Sequence, residues 1–204
     1  MDGSGVSRGV AYVAYGAGAQ REMLQSQAGL LAQNQLPVLV APEMQVPGVA
    51  EPTDVQRSRW AKLSVLEWTA WDRILYLDAD TRIRGSLAAG WAMLEDGWDV
   101  ALAVSRSQGD DWLWHVSDAE RSETEFMLGC RPVQLQAGLM FVRRCAAVQR
   151  LFAAWREEWM KWRDQDQAAL LRALMRAPVR TWLLGAPWNG GALVEHRCGQ
   201  ARRR

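Results

Sequence analysis

Short apolar runs of β-forming residues alternate along this chain with longer segments of helical periodicity, and this alternation constrains the fold more than any other feature. The clearest apolar runs are residues 9–15, 36–40 and 73–77. Between them, residues 19–34 and 58–71 carry apolar side chains at helical intervals. Strands that alternate with helices predict an α/β domain with a mostly parallel central sheet flanked by helices.

The second half of the chain continues the same alternation. The pattern predicts helices over 86–96 and 145–176, the latter broken near 161–164, and strands over 98–104, 135–142 and 179–184. Residues 42–54 are rich in Pro and Gly and predict a loop, and the polar stretch 105–132 is assigned to no element. Since no linker or repeat interrupts this order, one domain is expected over residues 1–204, with residues 1–8 flexible.

Composition excludes several classes of protein. Hydrophobic residues make up 49% and charged residues 23%, with a net charge of +1, so neither a disordered chain nor a nucleic-acid binder is expected. The three cysteines include no C-x-x-C pair, which argues against a zinc ribbon and a disulfide framework. No apolar run reaches the roughly 18 residues of a transmembrane helix. These features predict a cytoplasmic protein without a transmembrane segment.

Two carboxylates follow the most apolar of these runs. Asp78 and Asp80 come directly after residues 74–77, with only Ala79 between them. In open α/β sheets ligands bind beyond the carboxyl ends of the strands, and two carboxylates at this spacing can share one hard cation such as Mg²⁺, Mn²⁺ or Ca²⁺. The structural alternative is that Asp78 caps the following turn while Asp80 is solvated.

The segment Tyr76-Leu77-Asp78-Ala79-Asp80-Thr81 resembles the L-D-A-D-T segment of glycogenin-like, family-eight glycosyltransferases, which have the GT-A fold. The resemblance implies a retaining transfer of a sugar from a nucleotide-diphosphate donor, usually UDP-linked, with Mn²⁺ or Mg²⁺ as cofactor. It implies donor contacts for Asp78, Ala79 and Asp80. Lys62 lies sixteen residues before Asp78, where the family carries a donor-binding Lys, and Ala14-Tyr15 lies where the family holds the nucleoside.

Two further segments resemble the family's motifs. Gln136-Ala137-Gly138 is similar to the N-S-G segment whose Asn faces the donor sugar, although Gln and Ala replace Asn and Ser. Asp166-Gln167 is similar to the D-Q pair that opens a helix near the anomeric carbon, which implies a catalytic role for both. The same dipeptide also occurs as Asp164-Gln165, so the register of this motif stays open.

The last segment supplies the remaining implied ligands. His196 is followed by Gly199 and, six residues on, by Arg202, which is similar to the family's closing segment. There the resemblance implies that His196 completes the metal site with Asp78 and Asp80, and that Gly199 and Arg202 contact the donor diphosphate. His115 lacks such neighbours and is assigned a structural role.

Two other functions remain open at this point. A sugar-nucleotide nucleotidyltransferase has a related sheet, and residues 15–21 faintly resemble its Gly-rich loop. A non-catalytic relative that binds nucleotide-sugars is compatible with the altered Gln136-Ala137 pair. The acceptor, whether sugar, protein or lipid, is not identified, and neither is the oligomeric state. Residues 105–132, which include Trp112 and Trp114, are expected to form the acceptor wall.

Overall fold

A six-stranded sheet forms the centre of the fold in the computed structural model, which describes residues 5–33 and 36–197. The strands of the described part are β1 (Arg8–Val13), β2 (Val38–Val40), β3 (Arg73–Asp78), β4 (Thr81–Ile83), β5 (Val100–Val104), β6 (Leu135–Arg143), β7 (Thr181–Leu184) and β8 (Val194–His196). The large sheet has the order β2-β1-β3-β6-β5-β7, and β4 pairs with β8 in a second sheet.

The large sheet is mostly parallel, as the alternation of elements predicts. β1 lies parallel to both β2 and β3, and β5 lies parallel to β7. Only β6 runs against its neighbours β3 and β5. Five strands therefore end at the same edge of the sheet, which is where a ligand cleft is expected in this architecture.

Helices cover both faces of the large sheet. In the described part they are α1 (Ala17–Gln33), α2 (Asp54–Leu63), α3 (Val65–Trp68), α4 (Ala88–Glu95), α5 (Asp118–Leu128), α6 (Ala146–Trp162) and α7 (Asp166–Arg176), with 3₁₀ turns at Gly109–Asp111 and Ala186–Trp188. No helix among these described residues is both long and apolar enough to cross a membrane.

The side chains of β3 show how the strands divide the core. Ile74 and Tyr76 pack with α2, α3, α6 and α7 on one face, while Leu75 and Leu77 pack with α1 and α4 on the other. All four side chains are almost completely buried. Because successive side chains of a strand point to opposite faces, an unbroken apolar run is what a strand covered on both sides requires.

Several boundaries differ from the sequence-based expectation. The helix expected over 58–71 begins at Asp54, where Thr53 and Gln56 form a reciprocal capping box, and it breaks at Ser64 into α2 and α3. Part of the unassigned stretch 105–132 forms α5, which is capped by Ser117 and ends at Gly129 in the left-handed region. Arg8, within the segment expected to be flexible, already belongs to β1.

The small sheet brings the end of the described chain back to the centre of the molecule. β4 follows β3 after a two-residue turn and pairs antiparallel with β8, with Thr81 opposite His196. β8 is three residues long and was not expected from the sequence, because a segment this short carries no periodic signal. Its pairing places His196 beside the residues that follow β3.

Candidate active site

A cleft of about 1000 Å³ opens at the edge of the large sheet where the parallel strands end. Its walls come from residues 15–19 after β1, residues 78–80 at the end of β3, and residues 105–107 after β5. The first residues of α7 and part of α2 close it from one side of the sheet. The expected nucleotide-sugar site and this cleft thus occupy the same edge.

Asp78 lines the cleft and is held there by its own strand and turn. The Tyr76 hydroxyl donates to Asp78 Oδ1 at 2.9 Å, and the Thr81 hydroxyl donates to the Asp78 carbonyl at 2.8 Å. Burial, together with the Asp78 carboxylate, raises the pKa of Tyr76 well above its ordinary value, so the phenol keeps its proton. A neutral Tyr76 therefore acts as a fixed donor to Asp78.

His196 faces both carboxylates of the Asp78-Ala79-Asp80 turn. Its Nε2 lies 3.0 Å from Asp80 Oδ1 and 3.6 Å from Asp78 Oδ2. One ligand atom from each of the three side chains falls within a span of 4.8 Å. Asp80 and His196 are both 7% exposed, so the group is sheltered but opens into the cleft. This is the donor set that the family resemblance implies for a metal.

Lys62, from the first half of the chain, contacts both Asp78 and Asp166. From the last turn of α2, its Nζ lies 3.0 Å from Asp78 Oδ1 and 2.8 Å from Asp166 Oδ2. Burial opposes the charge of Lys62, but Asp166 and Asp78 outweigh it and raise the pKa of Lys62. Burial likewise opposes the charge of Asp166, while Lys62 and Arg59 hold its pKa below the ordinary value. Lys62 and Asp166 therefore form a buried ion pair.

The close approach of His196 and Asp78 depends on Gly138 in β6. A Cβ at this position would lie inside van der Waals contact of the imidazole and 2.7 Å from Asp78 Oδ2. A Cβ atom essentially never makes contacts this short, so any side chain would push His196 or Asp78 away. Gly138 thus keeps open the space in which the acidic residues and the imidazole meet.

Three amide side chains form a continuous hydrogen-bonded chain beside Asp166. The Leu113 N–H donates to Gln134 Oε1 at 2.8 Å, and Gln134 Nε2 donates to Gln167 Oε1 at 3.1 Å. Gln167 Nε2 then donates to Gln136 Oε1 at 3.0 Å, which also accepts from the Gly138 N–H. Backbone N–H groups can only donate, so the N–H groups of Leu113 and Gly138 at the two ends of this hydrogen-bonded series fix the orientation of all three amides.

Most of the residues expected in the site lie in the cleft. Tyr15, Lys62, Asp78, Ala79, Asp80, Gln136, Asp166, Gln167 and His196 all line it. Ala14 and Ala137 pack in the apolar core instead, and neither lines the cleft. Gly199 and Arg202, together with the basic end of the chain, lie outside the described residues.

The two D-Q dipeptides have different surroundings. Asp166 is the first residue of α7 and pairs with Lys62, and Gln167 joins the amide chain. Asp164 does not line the cleft, and its carbonyl accepts the indole N–H of Trp159. The geometry therefore favours Asp166-Gln167 as the pair that matches the motif.

Sequence reasoning missed several polar residues that line the cleft. Arg59 donates to Gln165, Arg106 donates to the His196 carbonyl at 3.2 Å, and Asn189 donates to the Val104 carbonyl at 2.9 Å. Arg59 lies three residues before Lys62, and this spacing on one helix face could have suggested it. Arg106 and Asn189 come from loops, where no periodic pattern marks which side chains turn inward.

Comparisons with known proteins agree with this geometry at the level of the fold. No protein-family model matches the sequence, and no curated protein matches it. Among solved structures, the chain is similar to a glycosyltransferase involved in glycosylation of the major capsid of PBCV-1. The identity is 11%, the match covers 97% of this chain and 96% of that chain, and the TM-score is 0.63.

Two further solved structures have the same arrangement. Mouse xyloside xylosyltransferase 1, in its apo form, is 10% identical over 95% of this chain and 99% of its own, with a TM-score of 0.61. The galactosyltransferase LgtC, in complex with donor and acceptor sugar analogues, is 18% identical over 85% of this chain and 72% of its own, with a TM-score of 0.50. The chain has the GT-A glycosyltransferase fold.

Proposed function

We propose that this chain is a metal-dependent, retaining glycosyltransferase of the glycogenin-like type that moves a sugar from a UDP-linked donor to an acceptor hydroxyl. The observation that carries the proposal is the meeting of Asp78, Asp80 and His196 at the end of β3, beside the Lys62–Asp166 pair. This group lies in a cleft at the strand ends of a GT-A fold, where a nucleotide ligand is expected.

The side chains present fit a divalent cation. Two carboxylates and one imidazole nitrogen suit Mn²⁺ or Mg²⁺, and their ligand atoms already lie within 4.8 Å of one another. The Lys62 ammonium pairs with Asp78 and Asp166, and it leaves the imidazole of His196 beside the carboxylates of Asp78 and Asp80. Asp78, Asp80 and His196 would hold the cation, which would stabilise negative charge on the diphosphate leaving group.

The chain's own residues would position and polarise the donor sugar. During transfer the bond between the anomeric carbon and the diphosphate oxygen breaks, and its electron pair leaves with the diphosphate. The acceptor oxygen forms the new bond to that carbon, and its proton passes to the departing diphosphate. Asp166, kept ionised by Lys62, would stabilise the positive charge that builds at the anomeric carbon. Gln136 and Gln167 would hydrogen-bond the sugar from their fixed positions.

The test is turnover with a panel of UDP-sugars and Mn²⁺, measured as UDP release and as the anomeric configuration of the product by NMR. Asp166→Asn should reduce turnover at least a hundredfold, since it removes the charge beside the reacting carbon. Asp164→Asn, two residues away and outside the cleft, is the matched control and should leave turnover unchanged.

Each result separates the proposal from its competitors. An inverted product would contradict the retaining mechanism. Binding of UDP and Mn²⁺ without release from any donor would indicate a non-catalytic relative. Formation of a sugar nucleotide from a sugar phosphate and UTP would instead indicate a nucleotidyltransferase.

A further inference from the structure

Trp114 presents an exposed indole to the cleft. It is 64% exposed, whereas Trp112, two residues before it, is 2% exposed. The Trp114 indole N–H donates to the Ser107 hydroxyl at 3.1 Å, which fixes one edge of the ring, and both Trp114 and Ser107 line the cleft. A large aromatic surface left in water at the mouth of a polar cleft is unexplained by packing.

The backbone is bent to place this ring. Leu113 has a φ of 51°, in the left-handed region that non-glycine residues seldom adopt. Its side chain is fully buried, and its N–H is held by Gln134. On the other side of the bend, the Trp112 indole N–H donates to the Pro132 carbonyl at 2.9 Å. Backbone strain maintained by buried anchors is typical of residues positioned for binding.

His115 adds a hydrogen-bonding group next to the ring. Its imidazole lies 5.8 Å from the Trp114 ring in an edge-on arrangement, and it lines the cleft. Its Nε2 is buried and has no hydrogen-bond partner within the described part of the chain. Burial lowers the pKa of His115, and the nearby Asp166 carboxylate opposes part of that shift. The neutral imidazole offers one donor and one acceptor, which matches a hydroxyl group.

We propose that Trp114 and His115 form the subsite for a saccharide acceptor, an inference that rests on the proposed glycosyl transfer. One face of a pyranose ring carries mainly C–H groups that can pack on the indole, and its hydroxyls can bond to His115. Apolar aromatic surface with a few convergent polar groups is the general composition of a small-molecule site. A saccharide could therefore pack on the Trp114 indole and hydrogen-bond to the His115 imidazole at the same time.

The position of Trp114 and His115 suits an acceptor better than the nucleobase of the donor. Tyr15, at the expected nucleoside position, follows β1, and Trp114 belongs to the segment after β5. In the strand order these two strands are separated by β3 and β6, which corresponds to about 14 Å at the usual spacing between strands. Asp78, at the end of β3, lies between the two walls, so a sugar donated there would meet an acceptor on Trp114.

The experiment uses the full chain labelled with 5-fluorotryptophan and followed by ¹⁹F NMR. The Trp114 resonance is identified by its loss in Trp114→Phe, and Trp182→Phe, which alters a 40% exposed ring outside the cleft, identifies the control resonance. Lactose, maltose, cellobiose and UDP with Mn²⁺ are titrated separately. We expect at least one saccharide to shift the Trp114 resonance saturably while the Trp182 resonance stays fixed.

Two variants give the functional readout. Trp114→Ala should weaken saccharide binding and raise the acceptor KM about tenfold, as expected for loss of an anchoring aromatic ring. Trp182→Phe, outside the cleft, is the control and should leave both the acceptor KM and donor hydrolysis unchanged. His115→Phe keeps a planar ring but removes both nitrogens. It should therefore lower the affinity for the saccharide while the Trp114 resonance remains observable.

The outcomes separate the subsite from the proposed function. If UDP with Mn²⁺ binds but no saccharide shifts the Trp114 resonance, the subsite is wrong and the donor site stands. A shift of Trp114 caused by UDP itself would assign the ring to the nucleobase and overturn the proposal. If neither UDP nor any saccharide binds, the proposed glycosyl transfer fails with it.

Discussion

Gly138 is the single residue on which the geometry of the centre depends most directly. Gly138→Ala places a methyl group against the imidazole of His196 and 2.7 Å from Asp78 Oδ2, so the two ligands must separate. Because displacements of about 1 Å in an active site cost about a hundredfold in rate, we expect turnover to fall by at least that factor. Steady-state kinetics with Mn²⁺ over a range of concentrations checks this.

The matched control for Gly138 is Gly185→Ala. A Cβ there would meet nothing closer than Pro187 Cδ at 3.9 Å, and its φ of −73° suits any residue. This variant should keep both turnover and Mn²⁺ affinity. Full activity of Gly138→Ala would mean that His196 and Asp78 need not lie side by side for the reaction.

The buried side chain of Gln134 hydrogen-bonds both the Leu113 N–H, next to Trp114, and Gln167 of α7. Gln134→Met keeps the length of the side chain but leaves the Leu113 N–H and Gln167 Oε1 without partners. We expect the free energy of unfolding to fall by about 1–3 kcal/mol. We also expect kcat to fall because Gln167 loses its fixed orientation. Urea unfolding and steady-state kinetics measure the two effects.

If Gln134 only positions Gln167, its substitution should lower kcat without lowering the affinity for the donor nucleotide. Affinity for UDP with Mn²⁺ should be retained in Gln134→Met, because Asp78, Asp80 and His196 are not in its hydrogen-bond chain. The exposed Gln149→Met on α6 is the control and should change neither stability nor rate. Unchanged kcat in Gln134→Met would remove the positioning role.

Asp99 hydrogen-bonds residues at the ends of two other strands, and its carboxylate makes a pH-dependent contribution to the stability of the fold. Its carboxylate accepts from the Arg180 N–H at 3.0 Å and from Arg143. Burial opposes the charge, but these bonds outweigh it and lower the pKa of Asp99 below 3.8. A depressed pKa stabilises the folded state above the unfolded-state value, and this stabilisation is lost as the pH falls through the folded-state value.

Asp99→Asn should therefore be less stable than the parent by about 1–2 kcal/mol at pH 7. The difference should shrink once the pH falls below 3.8, since the parent then loses the same charge. Urea denaturation at a series of pH values measures it, with the exposed Asp96→Asn as control. A difference that stays constant down to pH 2 would show that the charge of Asp99 is not what stabilises these strand ends.

At the level of elements, the sequence predicts best what depends on periodic burial. β3, β5 and β6 lie close to their expected bounds because sheets covered on both faces require unbroken apolar runs. α5 was missed since it is mostly polar, and β8 since three residues give no pattern. The break at Ser64 was also missed, because residues on both sides of it are buried and continue the same apolar spacing.

The candidate site shows a similar division between local and tertiary information. Asp78 and Asp80 could be proposed from sequence because they follow an apolar run directly, whereas Asp166 was suggested by the resemblance to the D-Q motif, with its register open. The dependence of His196 on Gly138, and the amide chain through Gln134, arise only when β6, β8 and α7 come together. Such contacts join residues far apart in the chain, and no single segment encodes them.

The whole molecule is built around a centre to which distant parts of the chain contribute. Lys62 and Asp78 come from the first half of the chain, and Asp166 and His196 come from its last quarter. A ligand at this centre would therefore contact residues that are far apart in the chain. We expect its binding energy to stabilise the domain as one cooperative unit.

UDP with Mn²⁺ should accordingly raise the melting temperature of a single unfolding transition. At a ligand concentration a hundredfold above Kd, the stabilisation is about 2.7 kcal/mol, which corresponds to roughly 5–10 °C for a chain of this size. Asp80→Asn should abolish the Mn²⁺-dependent part, and the exposed Asp96→Asn should retain it. Calorimetry measures both. Two separate transitions, or a rise that does not depend on Mn²⁺, would contradict a metal centre shared by one cooperative domain.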